Sequence, residues 1–365
     1  MNSQPNENDK DNEIEGLDVD EDTSWADYPI DTMLIRNEPR TVHEVLRRID
    51  QGVFQMDPDF QRDFIWPDDK QSKLIESVLM RIPLPVFYLA ENSVGKMVVV
   101  DGLQRLSTFQ RFVKNNHRLR LPEHDELHGK FFSDLSPKLQ NRVEDCPLIL
   151  YIIDAKVPPK ALLDIFERVN SGVPLTRQQM RNCLFMGGAT KFLKDESKTD
   201  IFLTATGRSL RSDTMRDREM VNRFCAFQLL PLVSYRGDMD AFLASALEKM
   251  NRLSPQELEN LSIEFRAGLR NNLIIFGRHA FRKYYSDEAA RSVFNASIWD
   301  VMSTSLSKVP ESIVEAKKEK IKTRFADLLI DEDFHASVTL GTSQVNRVRD
   351  RFAYVNNLVA EILNA

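Results

Sequence analysis

Three cysteines in 365 residues, none in a Cys-x-x-Cys pair, exclude both a disulfide framework and a thiolate zinc site. Such sparse cysteine suits a reducing cytoplasm. No run approaches the roughly 20 apolar residues of a membrane-spanning helix, and the N-terminus lacks the basic-then-apolar order of a signal peptide. Neither a membrane partner nor export is expected. Also missing are a Gly-rich phosphate loop ending in Gly-Lys-Ser/Thr, a Gly-x-Ser-x-Gly elbow and a His-Glu-x-x-His pair. The usual NTPase, esterase and metalloprotease chemistries therefore lack their residues. Histidine is scarce as well. His124 and His128 stand four apart, as a helical metal pair would, but Pro122 and Gly129 bracket them in a polar stretch, which argues against a metal.

What is present is unevenly charged. Residues 1–27 hold ten Asp or Glu against one basic residue, Lys10, so this segment carries −9; with a chain total of −6, residues 28–365 carry +3. The acidic, apolar-poor composition predicts a disordered tail over residues 1–30; the alternative is an acidic arm that competes with nucleic acid for a basic cleft. A slightly basic body permits a local anion site but not a general coat for polyanions.

Beyond the tail, short strands and helices alternate, which predicts a mixed α/β domain over 31–157. Thr41 and Glu44 have capping-box spacing for a helix ending near Asp50. Pro67, Asp68 and Asp69 open a second helix, whose apolar face is Leu74, Ile75, Val78 and Leu79. Runs at 86–89, 97–100 and 148–153 read as strands. From 158 to 365 the apolar stripes recur at helical spacing, with helices expected at 161–169, 176–185, 217–230, 239–250, 254–275, 286–305, 310–330 and 343–363, so a helical domain follows. The Lys- and Arg-rich faces of the last helices are read as solvated.

The sharpest site candidate is Val98 to Thr108. A buried strand stops at Asp101-Gly102, and a helix begins at once with Leu103, Leu106, Phe109, Phe112 and Val113 at helical spacing. A helix start after a strand offers unpaired backbone N–H groups and a positive dipole end to phosphate. Arg105 adds a planar charged fork, Ser107 and Thr108 add hydroxyls, and Asp101 is placed to hold magnesium or orient a water. Asp-Gly is equally an ordinary turn, and an arginine one turn into a helix is equally a solvated side chain. One turn also falls short energetically. A charged hydrogen bond of about 1.5–3 kcal/mol and a helix terminus of about 0.3–1 kcal/mol do not reach the roughly 4 kcal/mol of millimolar binding.

Further arms are therefore sought. Asp59 to Trp66 sets Gln61 and Arg62 among aromatics that either bury one side of a ligand or simply pack. Phe166 to Arg181 reads as a tight helix–helix corner at Asn170-Ser171-Gly172. There Arg168, Arg177 and Arg181 have the option of converging on an anion.

Three motifs occur in order: Phe-Gln-Arg-Asp-Phe-Ile-Trp-Pro at 60–67, Val-Asp-Gly-Leu-Gln-Arg-Leu-Ser-Thr at 100–108, and Phe-Glu-Arg-Val-Asn-Ser-Gly-Val-Pro-Leu-Thr at 166–176. Together with 81–86 and 128–135, they resemble the ParB-like DGQQR-motif domain at the N-terminus of GmrSD-type modification-dependent restriction enzymes. The similarity covers about residues 35–235. The resemblance implies a ParB/sulfiredoxin-like fold with a small mixed sheet, whose turn binds a nucleoside triphosphate and supports its hydrolysis. It further implies coupling to DNA cleavage by an HNH nuclease. The nucleotide residues it implies are Asp101, Gly102, Gln104 and Arg105, with Gln61 and Arg62 as the second arm. In that scheme Gln104 positions the attacking water or the γ-phosphate, and Arg62 closes from the other side.

Two departures shape the expectation. The first Gln of the pentapeptide is Leu103 here, which offers no hydrogen bond to phosphate or water. Beyond residue 235 only His279 and His335 remain, without the nuclease signature. The resemblance then implies a regulatory or specificity subunit in bacterial defence against phage DNA, with the nuclease supplied in trans. DNA, that nuclease and a second copy of the chain are the partners in view. The alternative is a ParB-like DNA-binding protein with a nucleotide-dependent clamp and no hydrolysis.

Overall fold

Among the described residues, five short strands frame the chain between 35 and 153. After the short N-terminal β1 (Ile14–Glu15), they are β2 (Ile35–Thr41), β3 (Phe54–Gln55), β4 (Phe87–Glu91), β5 (Met97–Asp101) and β6 (Pro147–Ile153), in the spatial order β2-β6-β4-β5-β3. Pairs β2–β6 and β4–β5 are antiparallel and β4–β6 and β3–β5 parallel, so the sheet is mixed. The computed structural model describes residues 14–17, 35–56, 66–92, 95–169 and 176–363.

One face of the sheet carries four helices: α1 (Val42–Asp50), α2 (Asp68–Leu79), α3 (Leu103–Val113) and α4 (Pro137–Glu144). The predicted capping box starts α1. Thr41 Oγ1 accepts from Glu44 N at 3.2 Å, and Glu44 Oε2 accepts from Thr41 N at 2.9 Å. Leu46, Ile75, Leu106 and Phe109 pack against Phe87, Leu89, Leu150 and Ile152. Burial of each such side chain stabilises by about 1.5–3 kcal/mol. The two-residue period is plain in β6, where Leu148, Leu150 and Ile152 are buried and Ile149 is 44% exposed.

β5 is buried on both faces, because α5 (Pro159–Val169) and α6 (Arg177–Leu184) lie against it from the other side. Ile153, Val157, Ala161 and Ile165 form a small core there. These two helices belong to the sheet unit, Ser24–Leu184, so the boundary expected at 157/158 falls at 184/185.

The second unit, Phe185–Ala365 with Met1–Thr23, is largely helical. Its core centres on Trp299, with the Phe281 ring centroid at 4.5 Å, Phe294 at 5.7 Å and Phe202 at 5.8 Å. Beside it lies a buried charge cluster. Arg223 grips Asp300 with Nε to Oδ1 at 2.8 Å and Nη2 to Oδ2 at 2.6 Å, and Arg351 Nη2 reaches Oδ2 at 2.9 Å. Arg351 Nη1 also donates to Thr342 O at 2.6 Å. Burial alone would lower the Arg223 pKa, but Asp300 and Glu219 raise it overall.

Three helices absent from the sequence expectation, Gly188–Glu196, Asp200–Thr206 and Glu332–Thr339, are short. The helix expected at 286–305 begins only at Ala296. Phe294–Asn295 is a strand instead, and Asn295 Oδ1 caps the helix by accepting from Ile298 N at 2.8 Å. Its strand partner corrects the expectation of a wholly disordered tail. β1 pairs in parallel with Phe294–Asn295, Lys283 Nζ holds Glu15 Oε1 at 2.6 Å, and Thr342 Oγ1 donates to Gly16 O at 2.8 Å. No helix among the described residues is long and apolar enough to cross a membrane.

Two buried histidines set an acid limit on stability. Burial lowers the pKa of His117, with Asp68 opposing and Arg111 and Arg120 assisting. Burial, then Arg278, lowers that of His279. The native state keeps both neutral, while in the unfolded chain they titrate near 6.5. Below that pH the unfolded state binds more protons, so stability is complete above pH 6.5 and falls as pH drops toward the folded pKa values. Melting temperatures should decline on that acid side, and His117→Gln should flatten the decline of the Ser24–Leu184 transition. An unaltered pH profile in that variant would refute the assignment.

Candidate functional site

Residues 97–105 build the candidate site where β5 hands over to α3. Gly102 makes the turn, with φ 96° and ψ 6°. A Cβ there would run into the Phe87 ring, so both the left-handed backbone and the close approach require glycine. Gly102→Ala should cost about 2 kcal/mol, read as a lower urea midpoint for the Ser24–Leu184 transition; a wild-type midpoint would refute the packing argument.

The turn leaves a helix start without a cap. Leu106 N to Gly102 O, at 2.9 Å, is the first bond of α3, and Gly102 has no side chain to cap the N–H groups of Leu103, Gln104 and Arg105. Those amides and the helix dipole form a positive terminus beside Asp101.

Arg105 is turned inward. Its Nη1 donates to Pro85 O, its Nη2 to Val86 O at 2.9 Å and to Asp101 Oδ2 at 2.8 Å, and its guanidinium lies 4.1 Å from the Phe87 ring centroid. The residue is 9% exposed. Burial lowers its pKa, with Asp101 opposing, and the group stays charged far above neutral pH. Arg105 thus fastens the chain entering β4 to the start of α3, a positioning role that the motif's spacing does not signal. Thr108 is likewise engaged locally, its Oγ1 donating to Gln104 O at 2.8 Å.

Gln104 joins the first motif to the second. Its Oε1 accepts from Trp66 N at 3.0 Å, and its Nε2 has no partner among the described residues. From Trp66 the connection continues: Gln71 Nε2 donates to Trp66 O at 2.6 Å, and Arg111 Nη1 donates to Gln71 Oε1 at 2.8 Å. Gln104, Ser107 and Arg111 share one face of α3 by helical spacing. Ser107 Oγ on that face is buried without a hydrogen-bond partner. Gln61 and Arg62 lie outside the described residues.

The third motif brings its second helix to the same strand, since α6 packs on β5. Asn170 and Ser171 lie outside the described residues. Arg177 holds Asp164 Oδ1 at 2.8 Å and Glu167 Oε2 at 2.9 Å, Arg181 is buried with Nε on Gln178 Oε1 at 3.0 Å, and Arg168 is exposed on the last turn of α5. Arg177 and Arg181 are thus engaged within the helix pair. The two loop histidines have separate partners: His124 Nε2 meets Glu76 Oε1 at 2.6 Å, and Leu121 N donates to His128 Nδ1 at 3.2 Å. No cluster of three His, Cys, Asp or Glu side chains suited to a metal occurs among the described residues.

A mixed five-stranded sheet covered by helices, with an Asp-Gly turn at the end of a doubly buried strand and a helix start without a cap, defines the class of domain. Residues 42–186 match the family model of the GmrSD restriction endonuclease, N-terminal domain. No curated protein and no solved structure matches the chain.

Proposed function

We propose that this chain is a nucleoside-triphosphate-binding regulatory or specificity component of a restriction system in the cytoplasm, with its nuclease supplied by another subunit. Gln104 carries the reading: its Oε1 anchors the first-motif segment at Trp66 while its Nε2 is left for a ligand beside the three amides of the turn. Those donors, with the unpartnered Ser107 Oγ nearby on α3, suit phosphate oxygens. Asp101 Oδ1 has no hydrogen bond among the described residues. Magnesium commonly takes one or two carboxylates and completes its shell with phosphate and water, so a single Asp101 fits it. When bound, the ion would neutralise developing phosphate charge. Leu103 is buried in the core, which leaves water orientation to Gln104.

Gln104→Glu tests this reading. It keeps an acceptor for Trp66 but replaces the Nε2 donor with a charge that repels phosphate. Magnesium-dependent binding of a labelled triphosphate should fall at least about tenfold with the melting temperature held. Unchanged affinity would remove the site. Sustained phosphate release would mark an NTPase, whereas binding without release would mark the clamp-like alternative.

A further inference from the structure

A second cluster of cationic groups lies at the other end of α3 from the Asp101 turn, beside Arg111 in its last turn. A recess of about 370 Å³ is lined by Asp68, Arg111, Asn116, His117, Arg118, Arg120, His128 and Gly129 together with Leu119. Its chemistry follows from local geometry. Burial alternates from His117 to Leu121, with 117, 119 and 121 buried and 118 and 120 exposed, as in an extended chain. Arg118 and Arg120 therefore share the outward side. Arg111 joins them from the last turn of α3.

Three guanidiniums thus meet one carboxylate. Asp68 pairs with Arg120 at 2.9 Å, while Arg111 and Arg118 bond neutral groups, Gln71 Oε1 at 2.8 Å and Gly129 O at 2.6 Å. Neither has a carboxylate partner among the described residues. The imidazoles add a donor. His128 Nδ1 accepts the Leu121 N–H at 3.2 Å, which puts the neutral ring's proton on Nε2. Ser72 Oγ donates to Asp68 O at 2.8 Å and accepts from Arg120 N at 2.8 Å. With that proton engaged, His117 Nε2 is the donor to Ser72 Oγ at 3.1 Å, so Ser72 braces the helix, the loop and the ring together.

We infer that this recess seats a backbone phosphate of DNA. Guanidinium forks match phosphate oxygens. No Phe, Tyr or Trp lines the recess to stack a base, so the recognised group is the phosphate and not a whole nucleotide. DNA is the source to which a restriction domain points. The inference rests on that DNA-directed reading and is independent of the triphosphate assigned to the Asp101 turn.

The test uses the full chain, a fluorescently labelled DNA duplex and a salt series. Arg118→Gln and Arg120→Gln should each weaken binding by about tenfold and reduce the slope of log K against log salt by about one for each phosphate left without its cation. Asn116→Asp guards against loss of fold, since its side chain is exposed and makes no hydrogen bond among the described residues. It should also weaken DNA binding, by adding a negative charge. Magnesium-dependent triphosphate binding should be unchanged in all three variants and weakened at least about tenfold in Gln104→Glu, so the two sites fail separately. Wild-type DNA affinity and salt slope in all three variants would overturn the inference. So would loss of inorganic pyrophosphate binding with DNA binding intact, which would assign the recess to a free phosphate ligand.

Discussion

Arg105→Ala is expected to destabilise the Ser24–Leu184 unit by about 3 kcal/mol, which for a unit of this size is a drop of roughly 10 °C in its melting transition. The substitution removes the shared donor of two backbone carbonyls, at Pro85 and Val86, and strips Asp101 of its cation. Breaking a buried pair by deleting one partner commonly costs about 3–5 kcal/mol; the Asp101 side chain is 29% exposed and can rehydrate, which favours the lower end. Arg105→Lys should recover less than half, because one ammonium cannot replace a fork that spans both carbonyls and the carboxylate. Calorimetry that resolves the two units checks this, and a wild-type transition in Arg105→Ala would refute it. Loss of triphosphate binding in that variant would report the collapse of the turn, so Gln104→Glu is the cleaner probe of the ligand.

Asp300→Ala should be at least as damaging, by about 3–5 kcal/mol, and should act on the Phe185–Ala365 unit. The Arg223, Asp300 and Arg351 side chains are between 0% and 5% exposed, and the single carboxylate lies between two guanidiniums. Its removal leaves two like charges facing each other out of reach of water, and Glu219 is already engaged by Arg216 at 2.6 Å. Replacing all three by apolar residues of similar volume should be milder than the single change, since a complete exchange leaves no orphaned charge. Urea titration of the single and triple variants checks the order; a triple variant less stable than Asp300→Ala would refute it.

The sequence made the central elements legible where pattern and punctuation agree. Met97 to Phe112 shows an apolar run, an Asp-Gly break and a helical stripe, and it folds as strand, turn and helix. β2 is hard to read because its period is carried by Arg36, Glu38 and Arg40, with Pro39 between them. Those charges pair with one another and with Glu91, and a proline is tolerated on the edge strand of a sheet. At the candidate site, the strand-turn-helix pattern marked Asp101 and Gly102, and the family resemblance added Gln104. Neither revealed that Arg105 turns inward, because its acceptors stand 19 and 20 residues earlier and depend on how β4 enters the sheet. The basic recess was hidden for the same reason. Arg111, Arg118 and Arg120 look like scattered surface charges until the 117–121 segment is laid against α2 and the Gly129 turn.

The docking of β1 has a consequence for synthesis. Glu15 and its partner Asn295 are 280 residues apart, and Gly16 and Thr342 are 326 apart. At about 5–20 residues per second, the ribosome delivers those partners roughly 15–60 s after the N-terminal segment emerges. The sheet unit has its whole sequence in hand well before then and can fold first. Closure of the helical unit around Ile14 and Glu15 therefore comes last and certifies that translation has passed Thr342.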